Sequence, residues 1–346
     1  MVNENSEFSG DEKRISRRKL LFGAIAAAFA GTVAYIEAIT GLPSLIIGEK
    51  LPLWVESSKQ YKDDEISFTE QLLLNEQNFE VKRLQVSAQR KTVDPLAANA
   101  ANVILVEYKN SATISLEPTN SGRRDLSILD KTGVSGPVAP VTGDFVHNQS
   151  DVVVDRDVNM SMPARDKNGA DYGGTELIDR MLPLGPEVNN NASGGLVFKD
   201  ETFHIVDKET LNNAKNTGQS FMQAWYTISN QNEETLLQQN WTHQKVQAEI
   251  GDSVYSWSAY IEYHDNSGTV RKGLIVLEKT EDRLAIWHLV KLCKQLSANG
   301  QYKLALTDAG NGNPVFIRPP SQSQHYYSFG SNVSEAHYSP LTIFST

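Results

Sequence analysis

The chain has 346 residues, of which 40% are hydrophobic and 21% charged, and its formal net charge is −10. That length buries a sizeable core, and the acidic balance disfavours nucleic acid and anionic lipid as partners. Cys293 is the single cysteine, so no intramolecular disulfide forms and the fold is held by its core.

Read from the N-terminus, residues 1–15 are polar, Ser16-Arg17-Arg18-Lys19 is basic, and residues 20–36 are almost uncharged. Basic, then apolar, then small is the order of an export signal. Ser16-Arg17-Arg18-Lys19-Leu20-Leu21-Phe22 resembles the Ser-Arg-Arg-x-Phe-Leu-Lys pattern of twin-arginine signals, with Leu20 and Leu21 replacing the Phe-Leu pair and no lysine after them. Guanidinium groups are permanently charged, forked donors, a reason for a receptor to demand arginines rather than lysines. The resemblance implies the twin-arginine export machinery as a partner and an extracytoplasmic location: periplasmic, cell-surface or secreted. A membrane anchor is the competing reading, because the 17 residues from Leu20 to Ile36 reach the lower limit of about 17–25 for a spanning helix. The basic flank keeps the N-terminus inside, so both readings put the bulk of the chain outside. Ala28-Phe29-Ala30 offers a cleavage site, and release or retention stays open.

Residues 1–43 are thus assigned to the signal or anchor, 44–79 to a lead-in of mixed polarity, and 80–346 to the functional domain. Strands are predicted at 80–87 and 102–108, the second β-branched and apolar enough to be buried; 112–116 is expected to continue the same sheet. Residues 144–191 are rich in Asp, Asn, Gly and Pro, with a strand-like pattern only at 151–155. Such a long excursion suits a lid. Within it Asp166-Lys167-Asn168-Gly169-Ala170-Asp171 faintly resembles a calcium loop, but it lacks the ligand spacing and the terminal glutamate, which favours a plain surface turn.

The pattern sharpens from Gly194. Residues 195–198 and 202–206 flank a short turn and predict a hairpin. A polar, helix-like stretch at 208–219 precedes candidate strands at 221–228, 254–264 and 270–279, with the hairpin turn Asp265-Asn266-Ser267-Gly268 between the last two. Residues 284–296 present a broad apolar face and read as a helix that packs on a sheet. Residues 302–306 then form a buried strand that runs into Asp308-Ala309-Gly310-Asn311-Gly312-Asn313, a glycine-rich loop suited to the edge of a site.

Three segments in this order, Thr142-Gly143-Asp144-Phe145-Val146, Gly195-Leu196-Val197 and Asp308-Ala309-Gly310-Asn311-Gly312, resemble the phosphodiester glycosidase family over roughly residues 80–345. That family removes a sugar joined to phosphate through its anomeric carbon. Asp144 stands where the family has a glycine that lets backbone approach a ligand, the loop after Asp308 keeps only alternate glycines, and no arginine precedes Ile250-Gly251 in the family's manner. The resemblance implies Asp308 and Asp144 in the carboxylate roles, since an ionised aspartate stabilises oxocarbenium character at the anomeric carbon. It assigns His243 or Lys245 to the phosphate and Asn311 and Asn313 to sugar hydroxyls, with a glycan or sugar phosphate as ligand.

Plainer roles compete: Asp308 caps a turn, Asp144 is a solvated loop residue, and His243 is simply exposed. The seven histidines show no pair at metal-ligand spacing, so neither a structural zinc nor another cofactor is expected. Two non-catalytic alternatives stay open. One is an exported cell-surface or binding protein. The other is a nuclear-transport-factor-like ligand-binding cone, in which 254–264, 270–279 and 285–292 are three long strands. The expected fold is α+β, a mixed β-sheet with packed helices, preceded by an N-terminal apolar signal or anchor helix.

Overall fold

Alternation of apolar and polar residues along long segments is what pairs them into sheets, and it governs most of this chain. The computed structural model describes residues 61–89, 100–118, 131–137, 141–142, 159–160, 163–172, 194–243, 246–279, 282–309, 315–322, 324–330 and 341–346. The strands begin with β1 (Glu65–Asn75), β2 (Phe79–Gln89), β3 (Ala100–Tyr108), β4 (Ile114–Pro118), β5 (Gly133–Gly136), β6 (Val141–Thr142), β7 (Asn159–Met160), β8 (Ala164–Arg165) and β9 (Asp171–Tyr172). The hairpin β10 (Gly195–Lys199) and β11 (Thr202–Val206) leads to helix α1 (Lys208–Asn216), then β12 (Ser220–Gln223), β13 (Tyr226–Ser229) and helix α2 (Glu233–Leu237). A ribbon of β14 (Asn240–His243) and β15 (Val246–Glu249) precedes a 3-10 turn (Ile250–Asp252), β16 (Val254–Tyr255), β17 (Trp257–His264) and β18 (Val270–Leu277). Last come β19 (Leu284–Ala285), helix α3 (Ile286–Leu296), β20 (Tyr302–Ala309), β21 (Val315–Arg318), β22 (Tyr327–Phe329) and β23 (Leu341–Ser345).

Seven of these strands form the main sheet, in the order β1-β2-β3-β18-β17-β20-β13. Two five-stranded sheets, β11-β10-β12-β8-β9 and β22-β21-β5-β23-β4, share one hydrophobic core with it. Val106, Tyr260, Leu274 and Ala305 from the main sheet meet Leu196, Phe203, Met222, Val134, Ile317 and Ile343 from the other two. Helix α3 packs on β1, β17 and β20. The main sheet therefore has a sheet-facing side and a helix-facing side. Tyr260 shows how close the sheet-facing contact is: its hydroxyl donates to Pro137 O at 3.2 Å, and a Cβ on Gly136 would stand 2.2 Å from that hydroxyl. Only glycine fits there. All the described residues belong to one compact unit, Ser58–Thr346.

The expectation of a mixed α+β fold is overturned. Every pairing between named strands is antiparallel, and the described residues hold only three α-helices, one of them five residues long. The physical reason is that a second layer of strands, rather than helices, covers one side of the main sheet. The expected apolar N-terminal helix, with Arg17, Arg18 and Ala28-Phe29-Ala30, lies outside the described residues, as does the strand-like 151–155. Among the described residues no helix is long and apolar enough to cross a membrane.

Several predicted elements form with altered neighbours. The segment around 112–116 does become a strand, β4, but it pairs with β23 in a second sheet instead of continuing the first. Residues 221–228 divide into β12 and β13, which belong to different sheets. Residues 65–75, inside the lead-in, form edge strand β1 along β2. The β10–β11 hairpin closes through Asp200 and Glu201 at φ 52° and 59°, the pair of left-handed residues that a two-residue turn requires. Residues 286–296 are helical, so the third long strand of the cone-like alternative is not formed.

Two clamps tie segments to the main sheet through side chains. On the sheet-facing side, β11 is an edge strand whose outward backbone groups meet a charged row: Ile205 N–H donates to Glu262 at 3.2 Å, Lys303 Nζ to Ile205 O at 3.0 Å, and Lys272 Nζ to Phe203 O. Burial raises the Glu262 pKa, outweighing the ammonium groups of Lys272 and Lys303 at 3.8 and 3.9 Å. On the helix-facing side, residues 61–64 dock on α3. Asp252 accepts the Tyr61 N–H at 2.8 Å, Lys291 donates to the carbonyls of Tyr61, Lys62 and Asp64, and the Tyr61 ring meets His288 edge-on at 5.2 Å. His288 Nδ1 accepts the Ala285 N–H at 3.4 Å, so the neutral ring carries its proton on Nε2 and donates it to Asp64 at 2.9 Å.

Candidate functional site

The buried strand predicted at 302–306 runs further than expected, and Asp308 lies within β20 rather than at the start of a loop. Its register is the informative feature. Along the β17–β20 ladder Ala259 pairs with Leu306, but Ser258 pairs with Asp308, so Thr307 is one residue extra. This is a β-bulge, and it changes which residue of β17 the following residue pairs with. An unbroken register would set Asp308 opposite Trp257, whose indole N–H donates to Leu284 O on the helix-facing side. The bulge pairs it with Ser258 instead. Thr307 is fully buried, and its hydroxyl contacts Ser258 Oγ at 3.1 Å and donates to Ser258 O at 3.4 Å, which fixes the bulge.

A second segment meets this strand end. The chain crosses between sheets at Ala224 and Trp225: Ala224 N–H donates to Gly194 O at 3.1 Å, and Trp225 N–H to Leu306 O at 2.9 Å. Gly194 N–H donates in turn to Thr227 Oγ1 at 3.2 Å, and Thr227 pairs with Ala305. The beginning of the Gly195-Leu196-Val197 strand thus abuts β13 and β20 within a few residues of Asp308. Gly195 has a structural reason to be glycine, because a Cβ would stand 2.2 Å from Met222 O. Pro137, on the chain leading toward Asp144, touches Tyr260, which pairs with Ala305.

His243 occupies the β14–β15 ribbon, opposite Val246. That ribbon is closed at its base by Ile250 N–H donating to Gln239 O at 3.1 Å, between α2 and the 3-10 turn, both of which contact α3. Asp144, Lys245, Asn311 and Asn313 lie outside the described residues. Asp166 is buried, with its carboxylate accepting from Asn168 N–H, Ala170 N–H and the Tyr172 hydroxyl at 2.8, 2.9 and 3.1 Å. Those donors organise a turn and occupy the oxygens that a cation would need. Among the described residues no group of three His, Cys, Asp or Glu is gathered for a metal ion.

One depression, on the sheet of β21, β5 and β23, is lined by Lys131, Ser135, Phe316, Arg318, Tyr326 and Phe344 and holds about 190 Å³ including its mouth. That is below the roughly 300–1,000 Å³ of ordinary ligand pockets, and Lys131 is engaged by Glu117 at 3.1 Å. The sequence pointed to neither the bulge at Thr307 nor the crossing at Trp225, because 221–228 read as one strand.

No protein-family model matches the sequence, and no curated protein matches it. Among solved structures, the chain is similar to the catalytic domain of zebrafish N-acetylglucosamine-1-phosphodiester alpha-N-acetylglucosaminidase, auto-inhibited by its pro-peptide. The identity is 10% and the TM-score 0.38, over 81% of this chain and 87% of that one. It is also similar to a Burkholderia pseudomallei protein described as exported, at 9% identity and a TM-score of 0.39, over 84% of this chain and 99% of that one. Both likenesses are distant similarities of overall trace, and neither transfers a residue or an activity to this chain.

Proposed function

We propose that this chain is an exported carbohydrate-active hydrolase that cleaves a sugar 1-phosphodiester, such as those of cell-envelope glycans, at the end of β20. The reading is supported above all by the register of β20, where the bulge at Thr307 pairs Asp308 with Ser258, a few residues from the Ala224–Trp225 crossing that Gly194 meets. In this reaction the bond between the anomeric carbon and the phosphate oxygen breaks, water adds to that carbon, and a phosphomonoester leaves. An ionised Asp308 stabilises the positive charge that develops on the ring. Asp144 is the second carboxylate, His243 or Lys245 meets the phosphate, and Asn311 and Asn313 meet hydroxyls. Export follows the twin-arginine signal around Arg17 and Arg18.

The test uses the purified full chain and a panel of hexose and N-acetylhexosamine 1-(methyl phosphate) diesters. Release of free sugar is expected, falling by about 10²–10⁴-fold in Asp308→Asn. Sugar binding without release by the unaltered chain would reduce the reading to a binding protein. Neither binding nor release would overturn it.

A further inference from the structure

We infer that Lys215, in the last turn of α1, is a nucleophilic lysine whose free amine condenses with a small aldehyde, such as the open-chain form of a reducing sugar. Alternation builds the place where it stands. Along β10 and β12, Leu196, Phe198 and Met222 enter the shared core, while Val197 and Phe221 take the opposite face, where Leu211 and Ala214 of α1 cover them. Lys215 follows Ala214 and is partly buried. Its ammonium stands 5.5 Å from the centre of the Phe221 ring and donates to Gln223 Oε1 at 3.2 Å. Among the described residues no carboxylate pairs with it. The nearest candidate, Asp171, is engaged by the Arg165 guanidinium at 2.8 and 3.2 Å, and Arg165 Nη1 also donates to the main-chain oxygen of Lys215 at 3.0 Å.

Lys291 of α3 is partly buried as well, and comparison with it shows what Lys215 lacks. Lys291 donates to three carbonyls, those of Tyr61, Lys62 and Asp64, and the carboxylates of Asp63, Asp64 and Glu65 favour its charge. Lys215 has one neutral acceptor, and the charged group that acts on it is another cation, Lys208. Lost hydration first, and then that ammonium, favour the free base and lower its pKa from the ordinary lysine value. The way in is open at the helix end. Asn212, Asn216 and Gly218 are exposed, and a Cβ on Gly218 would meet, among the described residues, only Arg165 Nη1, at 3.9 Å. In the reaction the amine nitrogen bonds to the carbonyl carbon, the carbonyl oxygen leaves as water with both amine hydrogens, and an imine remains. No oxidant or reductant enters that step.

Glycolaldehyde with cyanoborohydride, added in trace amount to the folded full chain, converts each imine into a stable hydroxyethyl-lysine that peptide mass mapping assigns to its residue. At pH 7 Lys215 should react about threefold or more faster than Lys199, although the Lys199 side chain is 63% exposed, and its rate should level off at a lower pH. Gln223→Glu sets a carboxylate where the amide now accepts. It should slow Lys215 toward the Lys199 rate and leave the other lysines unchanged, whereas Gln223→Leu, which removes the acceptor without adding charge, should not slow it. A rate at Lys215 no greater than that at Lys199 across the pH range would overturn the inference. So would equal slowing by Gln223→Glu and Gln223→Leu, because packing alone would then govern access to the amine.

Discussion

The clamps on the two sides of the main sheet solve one problem with different chemistry. Both satisfy exposed backbone groups with side chains where no strand is available. On the sheet-facing side the work falls to a row of charges, with Glu262 largely buried and the Lys303 side chain 54% exposed. On the helix-facing side, Asp64 and His288 are 6% and 3% exposed, and an imidazole there joins the Lys291 ammonium and the Asp252 carboxylate in meeting residues 61–64. Where a clamp reaches water, a charge such as that of Lys303 stays hydrated; where it is dry, each buried donor needs a matching acceptor.

The contrast is broken most directly at His288. His288→Ala removes a buried donor to Asp64 and the edge-on contact with Tyr61, and the expected loss is ~3 kcal/mol, read by denaturant unfolding. A loss under ~1 kcal/mol would show that the helix-facing clamp is no tighter than a surface pair. A smaller effect, and one that depends on pH, is expected at Glu262. Its folded pKa is raised, so the native state holds the proton more firmly than the unfolded chain does. That contribution is present below the ordinary carboxylate range and is lost as pH rises through the folded value. Stability of the unaltered chain relative to Glu262→Gln should therefore fall as pH rises from about 4.5, and parallel curves would remove Glu262 from the account. The smallest change is expected at Lys303→Met: with a half-exposed ammonium the cost should stay below about 1 kcal/mol, and a larger loss in thermal unfolding would mean that the exposed clamp bears more of the fold than its hydration suggests.

What the sequence disclosed follows from how local each signal is. The β10–β11 hairpin was legible because a two-residue turn sits between two apolar runs, and α3 because its apolar face spans three turns. Edge strand β1 was not, since its partner lies on one side only and Glu65, Ser67, Thr69 and Gln71 face solvent. The α+β expectation failed for a related reason: β21, β22 and β23 are three to five residues long, too short to show a period, and gain their structure from neighbours distant in the chain. Within the site, Asp308 was visible as a carboxylate before glycines. Its partner was not, because a bulge is a property of two strands in register. Trp225 was hidden inside what read as a single strand, where nothing local marks Ala224 and Trp225 as a crossing between sheets.

The extra residue at Thr307 makes chain length, rather than residue type, the determinant of where Asp308 stands. Counting residues from Leu306 decides whether the aspartate pairs with Ser258 or with Trp257, much as an added letter shifts everything after it in a line of fixed columns. Substitutions along β20 alter what a position offers. A one-residue deletion there changes its cross-strand partner, so two related chains with the same aspartate and a different count before it would pair it differently.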